Sequence, residues 1–412
     1  MHMMRILVLN AGSSSQKAAV YVVGETLPLD APTPVWEAHA EWSERSSVTV
    51  RVTTARGASV EREYPATTRR DLVAQLLPML WSGPTQVVDT PSAVDVVGHR
   101  VVHGGPAYTT SVVVTSETKA DIQRFAAFAP AHNPESLEGI EAVEQVMPGV
   151  PQVAVFDTAF HAHLPAAAAV YPGPYTWYER GIRRYGFHGI SHQYCAERAA
   201  TLLGRDPTSL RLVTAHLGNG CSLAAIAGAR SVDTTMGFTP LDGVMMGSRS
   251  GALDPGILTY LQRTDHATAD QLDATLNYDS GLQGISGVSS DMRQVLAART
   301  QGNARAALAF DMYVHSLRRG LGAMLVALGG ADALVFTGGI GEHSAEVRAA
   351  ACAQLAFLGL ALDPEVNAAS PADTFISTPA STVSVLIVHT LEDWIIARDC
   401  WRLLGSKAGT IP

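Results

Sequence analysis

Three short stretches of this 412-residue chain set glycines and polar side chains at the end of an apolar run, an arrangement that can hold an anion. In the first, Ile6 to Leu9 leads into Asn10, Gly12, the hydroxyls of Ser13, Ser14 and Ser15, and then Lys17. Backbone N–H groups, small hydroxyls and one ammonium on such a turn can cradle a phosphate. An ordinary polar hairpin turn uses the same residues, so this segment alone leaves both readings open. The P-loop pattern GxxxxGK[ST] is absent, and an alternating run, Ala18 to Val23, follows where a P-loop would start a helix. The second stretch is His216-Leu217-Gly218-Asn219-Gly220, flanked by the apolar runs beginning at Arg211 and Cys221. The third, Gly338-Gly339-Ile340-Gly341-Glu342, follows Ala333 to Thr337 and precedes a helical pattern from Ser344 to Leu358.

The elements needed to position these loops are legible nearby. The first two stretches read as strand, turn, strand, and the third as strand, glycine turn, helix. Two phosphate-type hairpins in two halves of the chain point to a duplicated domain with a nucleotide held between the copies. Val48 to Val52 alternates and turns at Ala55-Arg56-Gly57. Thr68 to Leu80 reads as a helix apart from Pro78. Val94 to Val97, Gln152 to Phe156 and Val383 to Val388 read as short buried strands. Leu321 to Phe336 is apolar but is broken by Gly329, Gly330 and Asp332, so it reads as helix, turn and strand rather than a membrane span.

Composition narrows the class. With 47% hydrophobic and 16% charged residues the chain is globular, and 412 residues make two domains the natural expectation. A net charge of −9 spread along the chain argues against nucleic acid as a partner. There is no basic segment followed by a signal core, and no membrane partner is expected. Cys195, Cys221, Cys352 and Cys400 are single and widely spaced, which suits reduced thiols in a cytoplasm. The histidine pairs His99/His103 and His188/His192 have the i, i+4 spacing of a zinc helix. The first lies beside a Gly-Gly turn and no Glu completes an HExxH pattern, so these histidines read as hydrogen-bonded core or active-site donors.

Further stretches carry a resemblance: Gly98-His99-Arg100-Val101-Val102-His103-Gly104-Gly105, Phe156-Asp157-Thr158-Ala159-Phe160-His161 and Arg184-Tyr185-Gly186-Phe187-His188-Gly189, then Met236 to Pro240, Met246-Gly247-Ser248-Arg249 and Ser290-Asp291-Met292-Arg293. With the three loops they resemble, nearly end to end, the acetokinase family of the sugar kinase, heat-shock chaperone and actin superfamily. The resemblance implies an α/β fold of two duplicated ribonuclease H-like (actin-like ATPase) domains with a nucleotide cleft between them. Residues 1–156 with about 395–412 would form the first lobe and residues 157–394 the second, with a homodimer formed through the second. It implies reversible, Mg2+-dependent transfer of the ATP γ-phosphoryl group to acetate, giving acetyl phosphate and ADP, with Mn2+ able to replace Mg2+.

The chemistry follows from the substrates. A carboxylate is already ionised at pH 7 and needs no general base; the obstacle is one anion approaching another. Cations must flank the transferring group, and Arg100 and Arg249 are the candidates because a guanidinium clamps oxygens with two bonds. His188 is a third donor. Asp157 is read as a carboxylate that positions metal-bound water and orients the arginines. Matching positions assign ATP contacts to Ser13, Ser15, Lys17, His216 to Gly220, Asp291, Met292, Arg293 and Gly339 to His343. Asn10 and Asp393 match the metal-associated positions, and Val102, Ala131, Phe187 and Pro240, with Arg100, the acetate pocket. Four departures stand out. Asp393 replaces a usual Glu and shortens its reach. His343 replaces a common Asn. Gly338 replaces a common Ala, a change expected to be harmless. Ala131 replaces a common Leu, which predicts a roomier acyl pocket and makes propionate or another short fatty acid the competing substrate. An actin-like or chaperone-like switch ATPase is the competing class, but it has no need of the anion-binding set Arg100, Phe187, His188 and Arg249.

Overall fold

A strand with a continuous apolar run must be covered on both faces along that run. β1 (Met4–Ala11) carries one from Ile6 to Leu9, with Ile6, Leu7 and Val8 fully buried. In the computed structural model, which describes residues 3–12, 15–42, 47–65, 68–129 and 132–405, β1 pairs antiparallel with β2 (Ser15–Val23) and sets Asn10 opposite Lys17. β3 (Trp36–Trp42), β4 (Ser47–Thr54) and β5 (Ser59–Pro65) continue the antiparallel run. In β3, Trp36, Ala38 and Ala40 are buried while Glu37, His39 and Glu41 are exposed, the period of a sheet covered on one face. On the other side of β1 lie β6 (Val96–Val101) and β8 (Gln152–Phe156), both parallel, with β7 (Val112–Val113) antiparallel at the edge. The order is β5-β4-β3-β2-β1-β6-β8-β7.

One face of this sheet packs Leu7, Leu9, Val20, Trp36 and Val50 against Leu72, Val73 and Leu76. Those residues belong to helix Arg69–Leu76, whose N-terminus is capped by the Thr68 hydroxyl. The predicted helix to Leu80 tightens into a 3₁₀ turn at Leu77–Leu80, since Pro78 has no N–H to continue the α ladder. Helix Glu392–Cys400 packs against β1 and β6, and Gly98 admits it: a Cβ there would come within 2.6 Å of Ile396 and Cys400. Residues Met1–Ala159 and Leu391–Pro412 make up this compact unit.

Residues Phe160–Thr390 make up the other. Its sheet holds β9 (Arg211–Leu217), β10 (Cys221–Ala227), β11 (Arg230–Thr234), β12 (Ala333–Thr337), β13 (Thr374–Phe375) and β14 (Ser384–Ile387), in the order β11-β10-β9-β12-β14-β13. Strand for strand, this repeats β3-β2-β1-β6-β8-β7, with the same parallel and antiparallel partners. The duplication expected from the hairpin loops is therefore a duplicated topology, and the β4–β5 hairpin is the first unit's addition. The 25-residue helix Ala304–Leu328 runs from an Asn303 side-chain cap to a left-handed Gly329.

The third loop differs from its sequence reading. Gly338–His343 is itself a short helix, followed by helix Ala345–Cys352 and a 3₁₀ turn at Ala356–Leu358. Ser344 divides the two helices because its side chain accepts from Val347 N and starts a new one. No helix among the described residues is long and apolar enough to cross a membrane.

Candidate active site

The β1–β2 turn closes with Gly12 N donating to Ser15 O at 2.9 Å. Behind it the buried Arg69 guanidinium donates to the carbonyls of Gly12 and Ser15 at 2.9 and 3.0 Å, to Gln16 Oε1 and to Glu135 Oε2. Burial lowers the Arg69 pKa while Glu135 and Glu138 oppose that. A buried cation that takes two carbonyls of the turn makes it less repellent to a phosphate. Ser15 is half-buried and Lys17 exposed. Ser13 lies outside the described residues.

The ends of β1, β6 and β8 bring the first cluster together. Arg100 on β6 donates through Nε and Nη2 to Asp157 Oδ2 at 3.0 and 2.5 Å, and through Nη1 to Ala11 O at 3.0 Å. Asp157, one residue beyond β8, is buried, and its Oδ1 meets no donor among the described residues. Burial raises the Asp157 carboxyl against the pull of Arg100. Burial works against the Arg100 charge too, but Asp157, Glu392 and Asp393 together hold its pKa above the ordinary value. Asn10 Nδ2 donates to Asp393 Oδ1 at 2.7 Å and to Glu392 Oε2 at 3.2 Å. Both carboxylates sit in the first turn of their helix, where the dipole favours negative charge. Val102, just past β6, is buried. Ala131 lies outside the described residues.

In the other unit, His188 stands at the head of helix Gly189–Leu203 in a left-handed conformation, φ 56°. Its ring stacks on His216 of β9 with centroids 4.3 Å apart. A Cβ on Gly220 would lie 3.4 Å from His188 Nε2 and 3.5 Å from Arg249 Nη1, so an imidazole and a guanidinium converge over that glycine. Arg249 Nη1 also donates to Pro240 O at 3.3 Å. Phe187 is buried, and its carbonyl accepts from His161 Nε2 at 3.1 Å.

Neighbouring loops interlock around this point. Gly247 N donates to Asn219 O, and Gly247 O accepts from Gln283 N. A side chain at position 247 would come 2.3 Å from Asn219 Oδ1 and 2.9 Å from Ser290 O. The Asp291 carboxylate caps helix Met292–Thr300 and pairs with the exposed fork of Arg293, while Met292 is buried. Of the third loop, Gly339 and His343 are exposed and Ile340 is half-buried. Glu342 turns inward: its carboxylate accepts from Gly338 N, Thr390 N and His389 Nδ1.

The sequence profile of the acetokinase family matches residues 5–398. The chain belongs to the acetokinase family. It is 59% identical over 403 residues to an acetate kinase of Nostoc sp., covering 97% of this chain and all of that one. The structure resembles the crystal structure of Porphyromonas gingivalis acetate kinase with a TM-score of 0.87 at 38% identity, over 97% of this chain and 100% of the other. It resembles a propionate kinase from Francisella tularensis with a TM-score of 0.86 at 35% identity, over 96% and 99%.

Measured against the acetokinase pattern, the structure adds residues that the sequence reading passed over. Glu392 shares Asn10 with Asp393, so a carboxylate of full Glu length stands beside the shortened one. Arg69 and Arg348 were missed because nothing local marks them. Arg348 is fully buried and donates to the carbonyls of Gly341, Glu342 and Asn367, the Asn367 amide oxygen and the Ser370 hydroxyl. Glu342 at one end and Arg348 at the other thus explain how a helix forms over three glycines. Gly338 is not interchangeable with Ala in this structure. Its φ is +76°, and a Cβ would lie 2.9 Å from Leu217 O.

Proposed function

We propose that this acetokinase transfers the γ-phosphoryl group of ATP to acetate, reversibly, by direct in-line attack of the carboxylate. The observation that carries the reading is the Arg100 fork, fixed by Asp157 and Ala11 at the strand ends of a sheet that also presents Asn10 and Lys17 there. A cation so held meets an incoming carboxylate without losing side-chain freedom on binding. Arg249 and His188 are assigned to the transferring group, and the loops 216–220, 291–293 and 339–343 to the nucleotide. Asp157 keeps Arg100 aimed; it is not needed as a base, because the acceptor is already ionised.

The residues at the Asn10 cluster fit Mg2+. They offer only oxygen ligands: the Asn10 amide oxygen, Glu392 and Asp393. No group of three or more His, Cys, Asp or Glu side chains is set to hold an ion among the described residues, which suits a metal that also leans on nucleotide phosphates. When bound with ATP, Mg2+ supplies neutralising charge to the phosphate oxygens. The same reading takes the enzyme as a cytoplasmic homodimer. None of the four buried cysteines forms a disulfide, in keeping with a reducing compartment.

The deciding experiment is a hydroxamate assay of acyl phosphate formation from acetate, propionate and butyrate with MgATP. Acetyl phosphate should form fastest. ATP hydrolysis without acyl phosphate would point to the switch ATPase instead. Propionate is the second reading, favoured by Ala131 where Leu is common. In Ala131→Leu the ratio of kcat/KM for propionate over acetate should fall by about tenfold, one methylene being worth roughly 1–3 kcal/mol; an unmoved ratio returns the substrate to plain acetate.

A further inference from the structure

The stacked imidazoles His188 and His216 have the same kind of neighbour behind them. Ser222 Oγ lies 2.8 Å from His188 Nδ1, and Ser191 Oγ lies 2.8 Å from His216 Nδ1. Each serine has a second partner that bears on the direction of its hydroxyl. The Thr390 hydroxyl donates to Ser191 Oγ at 3.0 Å, which turns the Ser191 proton toward His216 Nδ1. On the other branch, His192 Nε2 lies 2.8 Å from Ser222 Oγ, and His192 Nδ1 lies 2.7 Å from Thr214 Oγ1.

His192 is fully buried, and burial holds its pKa well below the ordinary value, with the neighbouring His161 and His216 adding to the effect. A neutral imidazole has one N–H and one bare nitrogen. Two senses of the chain are then open. In one, Thr214 O–H donates to His192 Nδ1, His192 Nε2–H to Ser222 Oγ, and Ser222 O–H to His188 Nδ1. His188 is left with its proton on Nε2, the nitrogen on the Gly220 side. The reverse sense puts a bare Nε2 lone pair there, beside Arg249, where an anion is to be received. Both senses pair the ring nitrogens and the Ser222 hydroxyl along the chain; only the first turns an N–H toward the anion, and it matches the Ser191 branch.

We infer that Ser222 and Ser191 are positioning residues that hold His188 and His216 in the neutral Nε2–H tautomer, so that both rings meet the transferring phosphoryl group as N–H donors. This rests on the phosphoryl-transfer reading given above. Serine suits the task where a carboxylate would not. A carboxylate behind each ring would favour two imidazolium ions, and rings with centroids 4.3 Å apart would repel each other as cations. A hydroxyl fixes the tautomer and adds no charge, so the donors are ready without being discharged first.

The test reads the tautomers directly. The full-length protein is labelled with 15N-histidine and its imidazole nitrogens are observed by long-range 1H–15N correlation at pH 7.5. Single His→Gln variants assign the rings. Wild type should show both rings as Nε2–H. Ser222→Ala should move His188 toward a tautomer mixture and Ser191→Ala should do so for His216. Each should lower kcat by about tenfold or more while the KM values for ATP and acetate change less than about threefold. Ser222→Thr keeps a hydroxyl and should restore the tautomer and most of kcat. An Nδ1–H or imidazolium ring in wild type overturns the inference, as does an Ala variant that keeps both its tautomer and its kcat. If an Ala variant does not fold, the wild-type spectrum decides alone. That spectrum needs no turnover, so correct tautomers in a protein that makes no acyl phosphate refute the assigned reaction and not the hydrogen-bond chain.

Discussion

Arg100→Ala tests the cation at the centre of the proposed mechanism, and the structure allows its two consequences to be separated. The substitution removes three hydrogen bonds, two of them to the buried Asp157 carboxylate. For the reaction, the loss should resemble losing a preorganised oxyanion donor, about 3 kcal/mol or more in kcat/KM, roughly 150-fold. For the fold, breaking a buried pair costs about 3–5 kcal/mol when the remaining charge is stranded. Asp157 has a way out. Burial already raises its carboxyl, and the variant deletes the main opposing influence, so it can take up a proton. Neutralising an ordinary carboxyl at pH 7 costs about 4 kcal/mol, some three pH units at roughly 1.4 kcal/mol each. That caps the damage and gives it a sign. With the folded pKa raised above the unfolded one, the folded state binds the proton more tightly, so the variant regains stability relative to wild type as pH falls from 7 toward 4. The assays are acyl phosphate kinetics and denaturant unfolding between pH 4.5 and 8. Arg100→Ala with Asp157→Asn should recover much of the stability and none of the rate. If the single variant keeps more than about a tenth of wild-type kcat/KM, a loss under roughly 1.4 kcal/mol, Arg100 does not have the role given to it. If its stability curve runs parallel to wild type, Asp157 is not the stranded charge.

Three further predictions follow from groups in both units. Burial pushes the pKa of His99 and His161 down to about 4, so below pH 6.5 only the unfolded chain takes up their protons; acidification from pH 7 to 5 should cost about 2 kcal/mol for each. Melting temperatures of wild type and His99→Gln over that range test this, and equal slopes reject it for His99. Glu392→Gln should weaken Mn2+ binding in the presence of ADP, followed by EPR, by about tenfold, and by more than Asp393→Asn, because Asp393 is the carboxylate held closer by Asn10; the opposite order would return the metal role to Asp393. Arg348→Met should raise KM for ATP by about tenfold with KM for acetate unchanged, because it frees the carbonyls of Gly341 and Glu342; equal changes in both would mean only general damage.

The hairpins at Asn10–Lys17 and His216–Gly220 were legible because apolar runs, polar turns and apolar runs alternate within twenty residues, so the signal is local. The same holds for β8, which the apolar run to Phe156 marks at both ends. Helix Gly338–His343 was not legible, because three glycines have poor helix propensity and the compensation comes from Glu342 and Arg348, one of them beyond a capping serine. Arg69 supports a turn 54 residues before it, and no spacing rule reaches that far. Glu392 is not legible for another reason: two adjacent acids look redundant in a sequence, and only the fold brings Asn10 to both. The serine-backed histidines needed strand register to appear, since Ser222 meets His188 and His192 only because β10 folds back on β9.

Helix Glu392–Cys400 has a consequence for how the protein is made. It fills the groove over Gly98 and brings Glu392 and Asp393 to Asn10, yet 231 residues, the whole of Phe160–Thr390, separate it from the sheet that it completes. On the ribosome, the unit synthesised first is therefore the last to be finished. Its sheet must wait with one apolar face of β1 and β6 uncovered until residues 391–400 emerge, while the later unit has all of its own strands as soon as Thr390 is out. Contacts of such long sequence separation are slow to form and leave an open apolar surface in the meantime. A nascent chain stalled before residue 391 would carry every arginine and histidine discussed above, and would still lack the carboxylates proposed to draw the metal.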